Sequence, residues 1–169
     1  MKAWFRDIII ACIIAFAVMQ FVKPTIVKES SMQPTLYENN YIFLSKQAYK
    51  FSSPKRGDII VFHTALKTQD GQEKLLIKRV IGLPGDVISV AEGHVYLNDD
   101  LLEEPYLLEE DTPGAIESAR VPEGELFVMG DNRRVSVDSR SETVGFVPIE
   151  EVVGKAFFRL YPFDEITTL

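Results

Sequence analysis

Two side chains in this 169-residue sequence are candidates for nucleophilic chemistry, a serine hydroxyl and a lysine amine. A serine hydroxyl is barely acidic, so it attacks a carbonyl only when a nearby base takes its proton. Lysine can be that base when burial disfavours its charged form and lowers its pKa from about 10.4 toward 8. In the β-rich segment 75–81, strand alternation places Lys78 on the same face as Leu76 and Val80. The pattern fits a buried catalytic amine, and it also fits an edge-strand lysine with its head in solvent.

The candidate nucleophile is Ser31, which opens the segment Ser-Met-Gln-Pro-Thr-Leu at 31–36. This segment has neither a helical nor a strand period, so Ser31 also fits a plain linker. A third segment, 130–140, concentrates glycine, amide, carboxylate, hydroxyl and guanidinium groups. It is either a turn with exposed ion pairs or a buried polar support that holds a catalytic amine in place.

Other catalytic chemistries lack their residues in this sequence. Cys12 is the only cysteine and lies in an apolar run, which argues against a disulfide framework, a cysteine-based metal site and a thiol protease. The two histidines, His63 and His94, show no metal-binding spacing. We therefore predict no metal and no cofactor. The net charge of -7, without a basic stripe, argues against a nucleic-acid partner.

The N-terminus predicts a membrane anchor. Between Ile8 and Val22 only Gln20 is strongly polar, and a helix that includes Trp4 and Phe5 is about 28 Å long, close to the roughly 30 Å of a bilayer core. We predict a tail at 1–7 and a transmembrane anchor at 8–24, ended by a lysine and a proline.

A cleaved signal peptide is the alternative, because Ala15-Phe16-Ala17 has the small-x-small form of a cleavage site. That tripeptide lies inside the apolar run, whereas a processed site normally follows it. Basic residues flank the run almost equally, so charge does not set its orientation.

Beyond the anchor, turn residues separate short β-rich runs and no long helical period appears. These runs are 41–44, 58–62, 75–81, 87–90, 94–97, 125–129 and 153–160. They predict one mainly β domain at 25–169, built of curled antiparallel sheets. The acidic segment 99–111 is either a solvated excursion or a docking surface for a basic partner.

Taken together and in this order, the three candidate segments resemble the type I signal peptidase family. The resemblance rests on 31–36, 78–86 and 130–140, with two further similar segments at 56–62 and 145–148. It covers most of the chain from Met1 to about Phe158. It implies a mainly β fold with a coiled, barrel-like core and a small second subdomain at 87–128, like the compact Gram-positive members.

The resemblance also implies roles for individual residues. Ser31 is the expected nucleophile and Lys78 the general base, with Ser136 orienting the lysine amine. Further positions that support the site in the family correspond to Asp131, Arg133, Asp138 and Arg140. Pockets for the small side chains before the cut are expected from Val27, Met32, Ile42, Val61 and Ile77.

The implied activity is cleavage of N-terminal signal peptides from secretory preproteins. The implied setting is the cell membrane, with the lipid bilayer as a partner, a cytoplasmic N-terminus and an extracytoplasmic catalytic domain. Ser31 is nine positions after Val22, so the nucleophile lies within about 30 Å of the anchor. A contact with the translocon is a further candidate that the sequence leaves open.

One position departs from the family pattern. Two residues before the nucleophile, where serine or glycine is common and a serine hydroxyl can help bind the oxyanion, this chain has Glu29. An ionised carboxylate cannot donate a hydrogen bond, and it would repel a developing negative charge. We therefore expect the Ser31 backbone N–H to be the principal oxyanion donor, with the Ser30 hydroxyl as another candidate.

Two other functions are weighed against this one. Self-cleaving repressors of related fold use Ser/Lys chemistry, but the anchor and the lack of a DNA-binding domain argue against them. A non-catalytic signal-peptide receptor or pilus-assembly factor is the alternative from another class. Glu29 favours that alternative, whereas retention of both Ser31 and Lys78 disfavours it.

Overall fold

The computed structural model describes residues 2–68 and 70–169. Met1, the first residue of the predicted cytoplasmic tail, lies outside this range. Within these ranges, helix α1 (Lys2–Phe21) is followed by twelve strands. They are β1 (Val22–Ile26), β2 (Tyr41–Ser45), β3 (Ile59–Lys67), β4 (Glu73–Gly82), β5 (Val87–Ala91), β6 (His94–Leu97), β7 (Asp100–Leu101), β8 (Ile116–Arg120), β9 (Glu125–Met129), β10 (Val147–Pro148), β11 (Val152–Tyr161) and β12 (Thr167–Thr168). Single 3-10 turns occur at Ser30–Met32, Ile149–Glu151 and Phe163–Glu165.

Helix α1 contains an 18-residue segment, Trp4–Phe21, that is long and apolar enough to cross a membrane. None of its described side chains is buried inside the domain. The helix ends at Phe21, and the Phe21 carbonyl accepts a 2.9 Å hydrogen bond from the Lys46 backbone N–H. The last three residues of the predicted anchor, 22–24, lie in β1 instead, because β1 pairs with β2. Pro24 is tolerated there because β1 is an edge strand, where a missing N–H leaves no partner unpaired.

Eight strands form a curled antiparallel sheet in the order β1-β2-β11-β3-β4-β9-β10, with β12 added beside β11. All seven β-rich runs predicted from the sequence are strands, and the bounds of β6 and β9 agree to the residue. The mainly β, antiparallel prediction is confirmed. Over the residues described, the sheet stays open between β1 and β10, so the barrel-like core does not close into a barrel.

A second, four-stranded sheet has the order β7-β6-β5-β8 and lies within the predicted subdomain 87–128. Strand β9, at the end of that interval, belongs to the large sheet instead. One apolar cluster connects the two sheets, because Ile88, Val90 and Val95 of the small sheet pack with Phe127 and Met129 of β9. The position of the small sheet is thereby tied to the strand that leads into the segment 130–140.

Alternation along β3 and β4 divides the core of the large sheet into two clusters. Ile60 and Phe62 of β3 pack with Leu76 and Val80 of β4. Their neighbours on β3, Ile59 and Val61, join a different cluster that contains Met32 and Leu36 of the segment after β1. The candidate nucleophile segment is therefore anchored in one core cluster, while Lys78 extends from a strand face that belongs to the other.

Candidate active site

Ser31 lies in the 3-10 turn Ser30–Met32, directly after the edge strand β1. The two large side chains that follow, Met32 and Leu36, are fully buried and fix the segment on the core. The Asn132 backbone N–H donates a 3.0 Å hydrogen bond to the Ser31 carbonyl oxygen. The polar segment 130–140 therefore holds the backbone of the candidate nucleophile directly.

Lys78 lies on β4 and is buried, with 1 % of its surface exposed, between the apolar neighbours that alternation predicted. Its Nζ atom lies 2.8 Å from Ser31 Oγ and donates a second hydrogen bond of 2.9 Å to the Ile77 carbonyl oxygen. Ser31 itself is only 4 % exposed. The alternative that places the Lys78 amine in solvent is therefore wrong, and so is the linker alternative for Ser31.

Burial lowers the pKa of Lys78 from 10.5 to about 8, because the ammonium form loses its hydration among apolar neighbours. The negative charge of Asp138 acts in the opposite direction and limits the fall in pKa. With a pKa near 8, roughly a tenth of the amines are neutral at pH 7 and most are neutral above pH 9. Neutral amine in contact with a serine hydroxyl is the arrangement that general-base catalysis needs.

Asp138 is a buried carboxylate whose oxygens are fully occupied. The Arg140 guanidinium donates 2.9 Å hydrogen bonds to both carboxylate oxygens, and the Gly130 backbone N–H donates another at 3.1 Å. Burial alone would raise the pKa of Asp138, but the hydrogen bonds and charge of Arg140 outweigh it and hold that pKa below its usual value. Asp138 is therefore a fixed negative charge near the lysine amine.

Ser136 occupies a different position from the one predicted. Its hydroxyl accepts a 3.1 Å hydrogen bond from the Gly130 backbone N–H and helps to keep the pKa of Asp138 low. Among the described residues, Lys78 Nζ makes its hydrogen bonds to Ser31 and Ile77, and none to Ser136. The predicted contact with the amine is absent here because Ser136 is engaged by the loop that carries it.

Gly130 fills a narrow space between that loop and the nucleophile. A Cβ atom at this position would collide with both the Ser31 carbonyl oxygen and the Ser136 side chain. The backbone of residue 130 can therefore approach Ser31 only because it has no side chain. This explains why glycine opens the polar segment.

Asp131 supports the site from the other side of the nucleophile segment. Its fully buried carboxylate accepts hydrogen bonds of 2.8 and 2.6 Å from Arg79 and a further one from the Thr35 hydroxyl. Arg79 also donates to the Thr35 hydroxyl at 3.1 Å. Neither Arg79 nor Thr35 was predicted to have a role, although both lie inside the segments that carry the family resemblance. Arg79 is next to Lys78, and Thr35 is four residues after Ser31. These positions were the signal that could have placed both residues in the site.

Arg133 fixes the segment 130–140 to the acidic segment 99–111. Its guanidinium donates to the Gly130 carbonyl at 2.9 Å, to the Thr112 hydroxyl at 2.7 Å and to both carboxylate oxygens of Glu104. The Arg79 guanidinium lies over the Tyr106 ring, and its Cζ atom is 4.1 Å from the centre of that ring. The acidic segment is therefore partly a structural support of the site, and its Glu104 carboxylate faces inward.

The carboxylate of Glu29 forms an ion pair with the Lys74 amine on β4. This contact holds the Glu29 carboxylate toward β4. The structure thus gives Glu29 a partner that the sequence did not suggest.

The five residues predicted to line the substrate pocket lie close together in the structure. Val27, Met32, Ile42 and Val61 belong to a single buried cluster, and Ile77 packs against it. Val61 and Ile77 also line a groove of about 870 Å³ between the segment 25–29 and β4. The other three lie beneath that groove as packed core.

Strand β4 has an open edge along this groove. Its second half pairs with β9 from Arg79 onward, whereas residues 73–78 pair only with β3 among the described strands. The Ile77 carbonyl points to the open side, since it meets Lys78 Nζ. An unpaired strand edge that ends at a buried serine–lysine contact can receive an extended peptide.

In the ranges 2–68 and 70–169 no group of three or more histidine, cysteine, aspartate or glutamate side chains is arranged to hold a metal ion.

A buried lysine amine in contact with a serine hydroxyl, on an open antiparallel sheet, is the arrangement of a serine peptidase with a lysine base. The sequence matches the family model "Signal peptidase, peptidase S26" over residues 1–161. The chain therefore belongs to the signal peptidase family.

Relatives in that family cover nearly the whole chain. A probable signal peptidase I-2 of Synechocystis is 38 % identical over 97 % of this chain and 75 % of its own length. Signal peptidase I of Bacillus licheniformis is 37 % identical over 96 % of this chain and 90 % of its own. A crystal structure of a signal peptidase I from Enterococcus faecalis is 33 % identical, with a TM-score of 0.51 over 62 % of this chain and 97 % of the other.

Proposed function

We propose that this chain is a membrane-anchored serine endopeptidase that removes N-terminal signal peptides from exported preproteins, with Ser31 as nucleophile and Lys78 as general base. The observation that carries the proposal is the 2.8 Å contact between the buried Lys78 amine and the Ser31 hydroxyl, in a member of the signal peptidase family. The intact pair disfavours a non-catalytic signal-peptide receptor. Glu29 no longer supports that alternative, since its carboxylate is paired with Lys74.

The chemistry follows from the protonation state of Lys78. The neutral amine accepts the proton of the Ser31 hydroxyl while Oγ attacks the scissile carbonyl, which gives a tetrahedral oxyanion. The resulting ammonium then protonates the leaving amine, and an ester between Ser31 and the signal peptide remains. A water molecule, deprotonated by the same amine, hydrolyses this ester. We assign the Ser31 backbone N–H as the principal donor to the oxyanion.

The supporting residues act through position and charge. Asp138, Arg140 and Ser136 hold Gly130 against the nucleophile segment, and Asp131 holds the same segment through Thr35. Arg133 ties this assembly to the acidic segment. None of these side chains is assigned a step in bond cleavage.

The open edge of β4 is the proposed docking strand for the substrate. An extended signal peptide would add its backbone beside residues 74–77 and bring its scissile carbonyl to Ser31. Alternate side chains would then face Val61 and Ile77 in the groove, above Val27, Met32 and Ile42. Shallow apolar pockets of this kind favour small residues before the cut.

Helix α1 supplies the proposed anchor, in the lipid bilayer, with a cytoplasmic N-terminus and the β domain outside the cytoplasm. Two observations support retention of the helix. It passes without a break through the small-x-small tripeptide at 15–17, and its last turn is joined directly to the sheet through Lys46. Contact with the translocon stays a prediction.

The test of this function is cleavage of a secretory precursor by the full-length protein in lipid vesicles, followed by mass spectrometry of the products. We expect one cut after a small-x-small sequence that releases the mature chain, and no product with the Ser31→Ala variant. Cleavage by Ser31→Ala at the wild-type rate would overturn the assignment of the nucleophile. Cleavage at unrelated positions would overturn the assignment of the substrate.

A further inference from the structure

The ion pair between Glu29 and Lys74 lies where a substrate must pass. Glu29 belongs to the segment that leads into Ser31, and Lys74 belongs to the open edge of β4 that leads to Lys78. The pair therefore joins the two walls of the substrate groove. It is partly exposed, with 42 % of the Glu29 side chain and 35 % of the Lys74 side chain accessible.

Both residues line two adjoining spaces. One is the groove of about 870 Å³ that contains Val61 and Ile77. The other is a smaller cavity of about 300 Å³ that contains Ser31. A peptide that runs from the groove to the nucleophile therefore places at least one residue against the pair.

The charges around the smaller cavity are balanced. Lys28 and Lys74 contribute two positive charges, and Glu29 and Glu38 contribute two negative charges. A substrate side chain entering this space meets a paired carboxylate and a paired amine. A neutral side chain leaves the pair intact, whereas a charged one attracts the oppositely charged partner, repels the like-charged one and so disrupts the pair.

We propose that the Glu29–Lys74 pair is a specificity determinant that selects an uncharged substrate residue beside the scissile bond. This inference rests on the proposed function. It assigns to Glu29 a role in substrate selection, where the family pattern would suggest a role in oxyanion binding.

The test uses precursor peptides in which each position within four residues of the cut is replaced in turn by alanine, aspartate or lysine. For the wild type we expect a kcat/KM at one such position that is five- to tenfold lower for either charge than for alanine. Glu29→Gln leaves one net positive charge and should favour aspartate over lysine at that position by a similar factor. Lys74→Gln should favour lysine over aspartate, and the exchanged pair Glu29→Lys/Lys74→Glu should restore the preference for alanine.

The matched controls replace a glutamate or a lysine by glutamine in two ion pairs that line neither the groove nor the smaller cavity. Glu165→Gln removes a carboxylate that is 45 % exposed and paired with Arg159, and Lys155→Gln removes an amine that is 31 % exposed and paired with Asp58. Both should keep the wild-type charge preference. The same variants are also made in a Ser31→Ala background, and peptide binding to them is measured by fluorescence anisotropy. This measurement reports the charge preference independently of turnover.

The inference is overturned if both single variants keep the wild-type charge preference at every position, or if the exchanged pair keeps the preference of a single variant. Either result with normal cleavage of the alanine peptides leaves the proposed function intact. Lack of cleavage of every peptide by the wild type would instead overturn the proposed function and this inference with it.

Discussion

Replacing Lys78 by methionine is expected to reduce kcat/KM for a precursor by at least about 10³-fold and, at the same time, to stabilise the folded protein. Activity falls because methionine cannot take the proton of Ser31. Stability rises because the buried amine has a pKa lowered from 10.5 to about 8, and this shift is a cost of folding. At about 1.4 kcal/mol per pKa unit, the fall from 10.5 to about 8 costs roughly 3 to 4 kcal/mol at neutral pH.

The sign of the pH dependence is fixed by the direction of that shift. Between pH 8 and 10.5 the unfolded chain binds more protons at this lysine than the folded chain, so wild-type stability rises with pH through that window. Below pH 8 both states are protonated and the full cost is present. The advantage of Lys78→Met should therefore be largest below pH 8 and should decline toward pH 10.5.

Urea unfolding of the full chain in detergent, repeated from pH 7 to 10, measures this difference. Lys50→Met, at an exposed position, is the control and should not stabilise the protein at pH 7. A Lys78→Met variant that is less stable than the wild type at pH 7 would contradict a destabilising, desolvated amine.

Replacing Asp138 by asparagine is expected to cost about 3 kcal/mol of folding free energy. The substitution preserves shape but leaves the Arg140 guanidinium, which is largely buried, without its partner carboxylate. It also removes a negative charge that raises the pKa of Lys78. Any remaining activity should therefore rise at a lower pH than in the wild type.

Thermal or urea unfolding and a pH profile of precursor cleavage test the two parts of this prediction. The control is Glu109→Ala, which breaks an ion pair with Arg134 in which both side chains are about half exposed. Exposed pairs contribute at most about 1 kcal/mol, so this variant should be close to the wild type. Equal losses for the two variants would show that Asp138 is not a buried structural charge.

The position of Lys78 could be predicted from its own strand, because alternation with Leu76 and Val80 is a local property. Its contact with Ser31 could not be predicted from that strand. The two residues are 47 positions apart, and neither segment alone favoured catalysis over a simpler interpretation. Only the order of several motifs, through the family resemblance, brought the pair together.

The parts that sequence reasoning missed depend on partners distant in the chain. The first three residues of β1 include a lysine and a proline and were predicted as the end of the anchor, but they form a strand because β2 pairs with them. Glu104 looked like part of a solvated acidic run, but it is buried against Arg133, 29 residues later. The sequence left open whether the Glu29 carboxylate faces the oxyanion, because its partner Lys74 is brought beside it by β4. The role of a charged residue in particular depends on such tertiary partners.

The most direct measurement of the central claim is the pH dependence of kcat/KM for precursor cleavage by the wild-type protein. If the neutral Lys78 amine activates Ser31, the rate should rise about tenfold per pH unit below pH 8 and level off above it, with one apparent pKa near 8. A profile that is flat from pH 6 to 9, or one that rises only near pH 10.5 as for a solvated lysine, would contradict the account.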